Sequence, residues 1–192
     1  TAAWEWLGKA EQVVASQAVP TLRAVAAHRA RLCLMQGRLS EAARWAEASG
    51  LRSDDGINPV RELEYITLAR VLMAQGLEQA AAALSLLQGL LSIAQAGAKT
   101  SREIEILALQ SLAYKTQGDG LRAKTALERA LRLAEPQGYV RLFVDEGAPM
   151  ASLLRELVGT RRAPAYAAKL LAALSGAGAD QADLRAPASE LV

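Results

Sequence analysis

Residues 100–134 read TSREIEILALQSLAYKTQGDGLRAKTALERALRLA. Apolar side chains recur at helical spacing up to Tyr114, Gly118 interrupts them, and Leu121, Ala123, Leu127, Ala130 and Leu131 form a second apolar stripe. A glycine between two amphipathic segments accepts the backbone geometry of a tight turn, so the stretch spells a helical hairpin over Thr100–Gln117 and Asp119–Ala134. The same arrangement occurs twice upstream. Gly37, Gly76 and Gly118 each have a small residue seven positions before (Ala30, Ala69, Ser111) and an alanine five after (Ala42, Ala81, Ala123), offsets that let paired helices approach closely. The glycines are 39 and 42 residues apart, a period of helical repeats. One hairpin alone leaves apolar surface uncovered, so the expected fold is all-α, a superhelical stack of hairpins, or α-solenoid. Such a stack presents surfaces, which places binding ahead of catalysis.

Composition agrees: the chain of 192 residues is 52% hydrophobic but only 4% aromatic, with one phenylalanine, unlike a strand-rich domain. The net charge of +2 comes from 22 basic and 20 acidic residues without blocks of one sign, and no basic face of a nucleic-acid binder stands out. The single Cys33 forms no intramolecular disulfide and sits in an apolar segment as a buried thiol, which fits a reducing, cytoplasmic setting. No run of about 18 uncharged apolar residues suggests a membrane span. The chain starts at Thr1 without an initiator methionine and reads as a piece of a longer protein. His28, the only histidine, rules out a multi-histidine metal site and reads as a packed helix residue. Asp54 and Asp55 beside Gly56 lack the ligand spacing of a calcium loop and read as a turn. One cysteine and one histidine assemble no nucleophile and base, so no enzyme is expected.

The remaining elements follow from breakers and caps. A first helix occupies residues 1–18 and ends at Pro20; the first hairpin pairs 21–36 with 39–49, with Ser40 as N-cap and Gly50 as stop. Residues 51–59, LRSDDGINP, form the longest internal loop. The second hairpin pairs Pro59–Gln75 with Glu78–Ala96, and Gly89 inside its second helix costs about 1 kcal/mol against alanine unless close packing requires it. Residues 139–150, YVRLFVDEGAPM, form an extended or helical turn, followed by helices at 148–158 and 164–175. The domain therefore spans 1–175, and 176–192, small, polar and Gly/Pro-bearing, reads as a linker.

The small-residue offsets resemble the tetratricopeptide repeat, most closely in the third hairpin, with Tyr114, Leu127 and Ala130 at matching positions. The first hairpin departs with Cys33 and Ser49, the second with Leu72 and Gln88. The order of AARWAEASGL at 42–51, RELEYITLARVLMAQG at 61–76, EIEILALQSLAYKTQGD at 103–119 and ALERALRLAEPQGYVRLFVDEGAPMASLLREL at 126–157 is more specific. Together they resemble the helical-repeat sensor region of LuxR-type large ATP-binding transcriptional regulators, the group that includes the maltose-operon activator. The resemblance implies an ATPase domain upstream and a helix-turn-helix domain downstream. It also implies an inducer or signalling protein as partner and control of self-association. No GxxxxGK[ST] loop occurs here, so ATP belongs to the upstream domain, this region has no cofactor of its own, and DNA contact belongs to the downstream domain. A general scaffold that docks peptides, with no small-molecule ligand, is the alternative.

The tetratricopeptide resemblance also places the position six before each glycine on a groove: Arg31, Arg70 and Leu112. Two guanidiniums there would clamp a carboxylate, phosphate or sugar hydroxyls through their planar donor forks, or else serve as solvated charges paired with glutamates. By the same offsets Glu105, Lys115, Met35 and Met73 join them, the methionines as adaptable contacts or as core filling. Arg141, Asp145 and Glu146 either couple ligand state to the next domain or fix the last hairpin through ion pairs. Trp4, Trp6 and Trp45 suit sugars or a protein interface.

Overall fold

A computed structural model describes residues 4–6, 19–52, 56–160 and 164–183. The fold is the all-α helical repeat that the glycine spacing indicates, and its helices form two compact units, residues 1–98 with 116–118 and residues 99–115 with 119–192. The expected helix over 1–18 is described only at Trp4–Trp6, which are helical; its remainder, Asp54, Asp55 and the last residues of the linker lie outside the described residues.

In the first unit, helix α1 (Val19–Met35) pairs with α2 (Leu39–Ala48), and α3 (Glu62–Ala74) pairs with α4 (Leu77–Ala96); α3 also packs on α1 and α2. Pro20 lies in the first turn of α1, where its missing N–H leaves no bond unmade. Likewise Ser40 is inside α2, whose N-cap position is Arg38 and carries no side-chain cap bond. Gly50, with φ of +65°, follows the end of α2 as the sequence predicts.

The hairpin turns explain one departure from the repeat pattern. At Gly37 (φ +74°) the Arg38 N–H donates to Cys33 O at 2.8 Å and the Gly37 N–H to Leu34 O at 3.0 Å, the bond pair that closes a helix through a left-handed residue. At Gly118 (φ +79°) the Asp119 N–H reaches Tyr114 O at 2.9 Å in the same way. Gly76 instead takes φ 109° and ψ −167°, and α4 starts at the very next residue. This connection is one residue shorter, so the second helix turns by one position relative to its glycine. Ala42 and Ala123, five past their glycines, have no exposed surface, but Ala81 is exposed and Ala80 and Ala83 take its place in the core. The invariant is the fourth residue of the second helix (Ala42, Ala80, Ala123), not the distance from the glycine.

Gly89 is where a loop side chain packs closely on a helix. A Cβ there would lie 2.6 Å from Ile57 Cδ1, because the loop before Pro59 lays Ile57 against α4. The loop is tied down by the Tyr65 hydroxyl donating to Gly56 O at 3.4 Å and by Asn58 Oδ1 accepting from Val60 N–H at 3.0 Å. Helix α4 has the length and apolar composition of a membrane span, yet Ala80, Ala83, Leu86, Leu87, Leu90, Leu91 and Ala94 form its buried face in the core.

In the second unit, α5 (Thr100–Thr116) and α6 (Gly120–Ala134) are joined by an Arg129–Glu103 ion pair at 2.6 Å. Asp119 caps α6 by accepting from Arg122 N–H at 2.9 Å. Ala123, Leu127, Ala130 and Leu131 are fully buried, but Leu121, assigned to the same stripe, is 79% exposed: it occupies the second position of α6, before the helix meets its neighbours. After Gly138 (φ +68°), residues Arg141–Val144 form one helical turn, α7, and not an extended segment. Its Phe143, the lone phenylalanine, is fully buried. Helix α8 (Ala148–Val158) buries Met150, Leu153, Leu154 and Leu157 and packs on α6 and on α9 (Ala165–Asp183). Helix α9 continues past Gly176 to Asp183, beyond the end at residue 175 expected from composition.

Candidate functional site

Arg31 and Arg70 occupy equivalent positions on α1 and α3, two helices in contact. Each follows the small residue that lets its helix pack, Ala30 at 2% and Ala69 at 0% exposure, so each arginine emerges half-buried beside the helix contact. The Arg70 Nε is enclosed, and neither guanidinium is free: both interact within the fold. Met35 at the end of α1 is 58% exposed, whereas Met73 is half-buried. Helix α1 carries Arg23, His28, Arg29 and Arg31 and no acidic residue. His28 is exposed on it rather than packed, because the alanines around it turn Val25, Ala27 and Ala30 inward instead.

The residues singled out in the second unit have close partners. Glu105 is only 3% exposed, and its carboxylate accepts a hydrogen bond from Arg102 Nη1 at 2.8 Å. Burying a charge is costly unless it is paired, and this pair meets that requirement. Lys115 Nζ lies 2.6 Å from Glu156 Oε1, linking α5 to α8. Arg141 and Asp145 pair at 3.1 Å across one turn, with Arg141 82% exposed and Asp145 26%, and Glu146 is half-buried beside them.

A second cluster in the first unit escaped sequence reasoning apart from Trp4 and Trp45. The Trp4 indole N–H donates to Gln36 Oε1 at 3.1 Å, and the guanidiniums of Arg29 and Arg38 lie over its ring at 5.4 and 4.5 Å. Arg38 donates from Nη2 to Glu41 Oε2 at 2.8 Å and to the Cys33 thiol sulfur at 3.3 Å. The contact with Cys33, followed by the attraction of Glu41, raises the Arg38 pKa above its ordinary value, against partial desolvation. Trp4, Leu34, Trp45 and Ala46 pack around buried Cys33, Ala42 and Val71. The only signal in sequence was Arg38 directly after a turn glycine.

The two hairpins of the first unit are fastened by Arg61. Its Nε donates to both carboxylate oxygens of Glu64 at 3.1 Å, and its Nη2 donates to Ser49 O at 3.2 Å. The bond to Glu64 outweighs desolvation and raises the Arg61 pKa. Among the described residues no three His, Cys, Asp or Glu side chains converge to hold a metal ion.

Comparison with known families matches residues 1–160 to the MalT-like TPR region. Over 120 residues the chain is 30% identical to the HTH-type transcriptional regulator MalT of Vibrio cholerae serotype O1, an alignment covering 62% of this chain and 13% of that protein. No solved structure matches the chain.

Proposed function

The chain belongs to the MalT-like TPR region family, and from that premise we propose that it is the signal-sensing and protein-interaction region of a LuxR-type transcriptional regulator. In this reading it works in the cytoplasm without chemistry of its own, binds an inducer or a signalling protein, and biases self-association of the regulator. The observation that supports it is the pairing of Arg31 and Arg70 at equivalent positions of two contacting helices, on a first helix without acidic residues. A ligand offering carboxylate, phosphate or hydroxyl acceptors would draw these planar donor forks from their internal contacts. Binding energy shifts self-association only if the ligand prefers one state of the protein. A peptide partner in place of a small inducer is the second reading, favoured by the 58% exposure of Met35 beside the arginines' helices.

A thermal-shift screen of sugars, nucleotides, aromatic metabolites and acidic peptides tests both. A ligand at about 100 times its Kd stabilises the folded chain by about 2.7 kcal/mol. The double variant Arg31→Ala/Arg70→Ala should weaken the best hit by about tenfold or more, a loss of about 1.4 kcal/mol, while retaining native circular dichroism. Unchanged calorimetric affinity in that folded variant refutes the arginine surface.

A further inference from the structure

We infer that α9 is a releasable strap of the second unit: its first two turns hold it down around a buried phenol whose hydroxyl has no partner, and it detaches while the other helices of the unit stay folded. Two observations carry this, and the first is where α9 buries its side chains. It packs on α8 and α7. Among its described side chains, residues 165–176, those of Tyr166, Ala167 and Leu170 are buried, and from Leu171 onward none is fully covered. Helix α8, with only 11 residues, buries side chains from Met150 through to Leu157. Apolar area returned to water is what makes a local opening costly, so α9 opens more readily than its neighbour.

The second observation is the anchor itself. Tyr166 is 4% exposed, and its buried hydroxyl makes no hydrogen bond within the fold. Glu135, at the end of α6, is close enough to raise the phenol pKa but accepts no bond from it. The ring does have a partner, since Lys169 Nζ lies 5.7 Å from its centroid. That cation belongs to α9, three residues further along, so the contact travels with the helix and does nothing to hold it down. A buried hydroxyl left unbonded keeps its desolvation cost, which detachment relieves by returning the group to water. It lowers the docking constant of α9 by about 5- to 150-fold relative to a phenyl ring of the same shape. A helix docked by a margin reduced in this way is a two-state element, and whatever binds one state better than the other biases it. The strap lies in the second unit and is independent of the arginine pair on α1 and α3.

Hydrogen exchange followed by mass spectrometry on the whole 192-residue chain tests the strap. Peptides covering 165–176 should exchange at least about tenfold faster than those of α5, α6 and α8, relative to their unfolded rates. Tyr166→Phe, which keeps the ring and removes the hydroxyl, should slow exchange in α9 by about 5- to 150-fold and leave α5 unchanged. Exchange of α9 together with α5 and α8 in one cooperative opening overturns the inference, as does a Tyr166→Phe chain whose α9 exchanges as fast as before, or faster. Should Tyr166→Phe fail to fold, Leu170→Ala decides, because it removes buried surface from α9 itself. That variant should speed exchange in α9 and leave α5 and α6 as they were, and an acceleration shared by all of them refutes the strap.

Discussion

Replacing Gly89 with alanine sets two effects of similar size against each other. In the interior of a helix alanine is favoured over glycine by about 0.8–1.0 kcal/mol. The new methyl, however, would sit 2.6 Å from Ile57 Cδ1, whereas carbon atoms rest at about 3.5–4.0 Å. Ile57 must therefore retreat by about 1 Å, either by leaving its rotamer or by pulling on a loop tied to Tyr65 and capped by Asn58. Such overpacking costs about 1–3 kcal/mol, so Gly89→Ala should leave stability unchanged or lower it by up to about 2 kcal/mol. In an Ile57→Ala background the obstacle is gone, and the same substitution should stabilise by about 1 kcal/mol. Urea unfolding of the four chains, followed by helical circular dichroism, measures the coupling, expected at about 1–3 kcal/mol. If Gly89→Ala stabilises both backgrounds equally, the Ile57 contact does not constrain Gly89 and the reasoning fails.

Three further outcomes follow from packing and burial. Ala81→Leu should be tolerated within about 0.5 kcal/mol, whereas Ala80→Leu, at a site with no exposed surface, should cost about 1–3 kcal/mol in urea unfolding; equal costs would undo the register assigned to the second hairpin. Leu127→Ala should destabilise by about 2–5 kcal/mol and Leu121→Ala by under about 0.5 kcal/mol, read as shifts of the same transition. Tyr166 is 4% exposed, and burial, then the nearby Glu135 carboxylate, raises its phenol pKa. The unfolded chain therefore ionises this phenol first, and stability falls as pH rises above about 10. Tyr166→Phe should remove that part of the fall, so its stability relative to the unaltered chain should rise above that pH; a gap independent of pH would contradict the raised pKa.

Much of the fold was legible because its cues are local. Glycines with positive φ at Gly37, Gly76 and Gly118, a breaker run after Ala134 and helical periodicity each act within a few residues, and the helices appear where those cues put them. Boundaries shifted by a few residues where propensity alone was the guide, as when Ser40 fell inside α2 and α9 ran on to Asp183. The candidate site was less legible. Offsets from the glycines picked out Arg31 and Arg70 on neighbouring helices, but the same offsets named Glu105, whose carboxylate is buried against Arg102, and passed over Gln36 and Arg38.

Sequence alone determined that the chain is a set of glycine-linked helical hairpins, because turn geometry and apolar period are properties of neighbours along the chain, and the order of its segments carried the resemblance to its family. Only the tertiary structure decided which faces meet. The one-residue-shorter turn at Gly76 exchanged Ala81 for Ala80 in the core, Ile57 came to lie over Gly89, and Trp4 met Arg38 at the turn of the first hairpin. Those contacts join residues far apart in sequence, and a rotation of one position on a helix, about 100°, is enough to exchange a buried side chain for an exposed one.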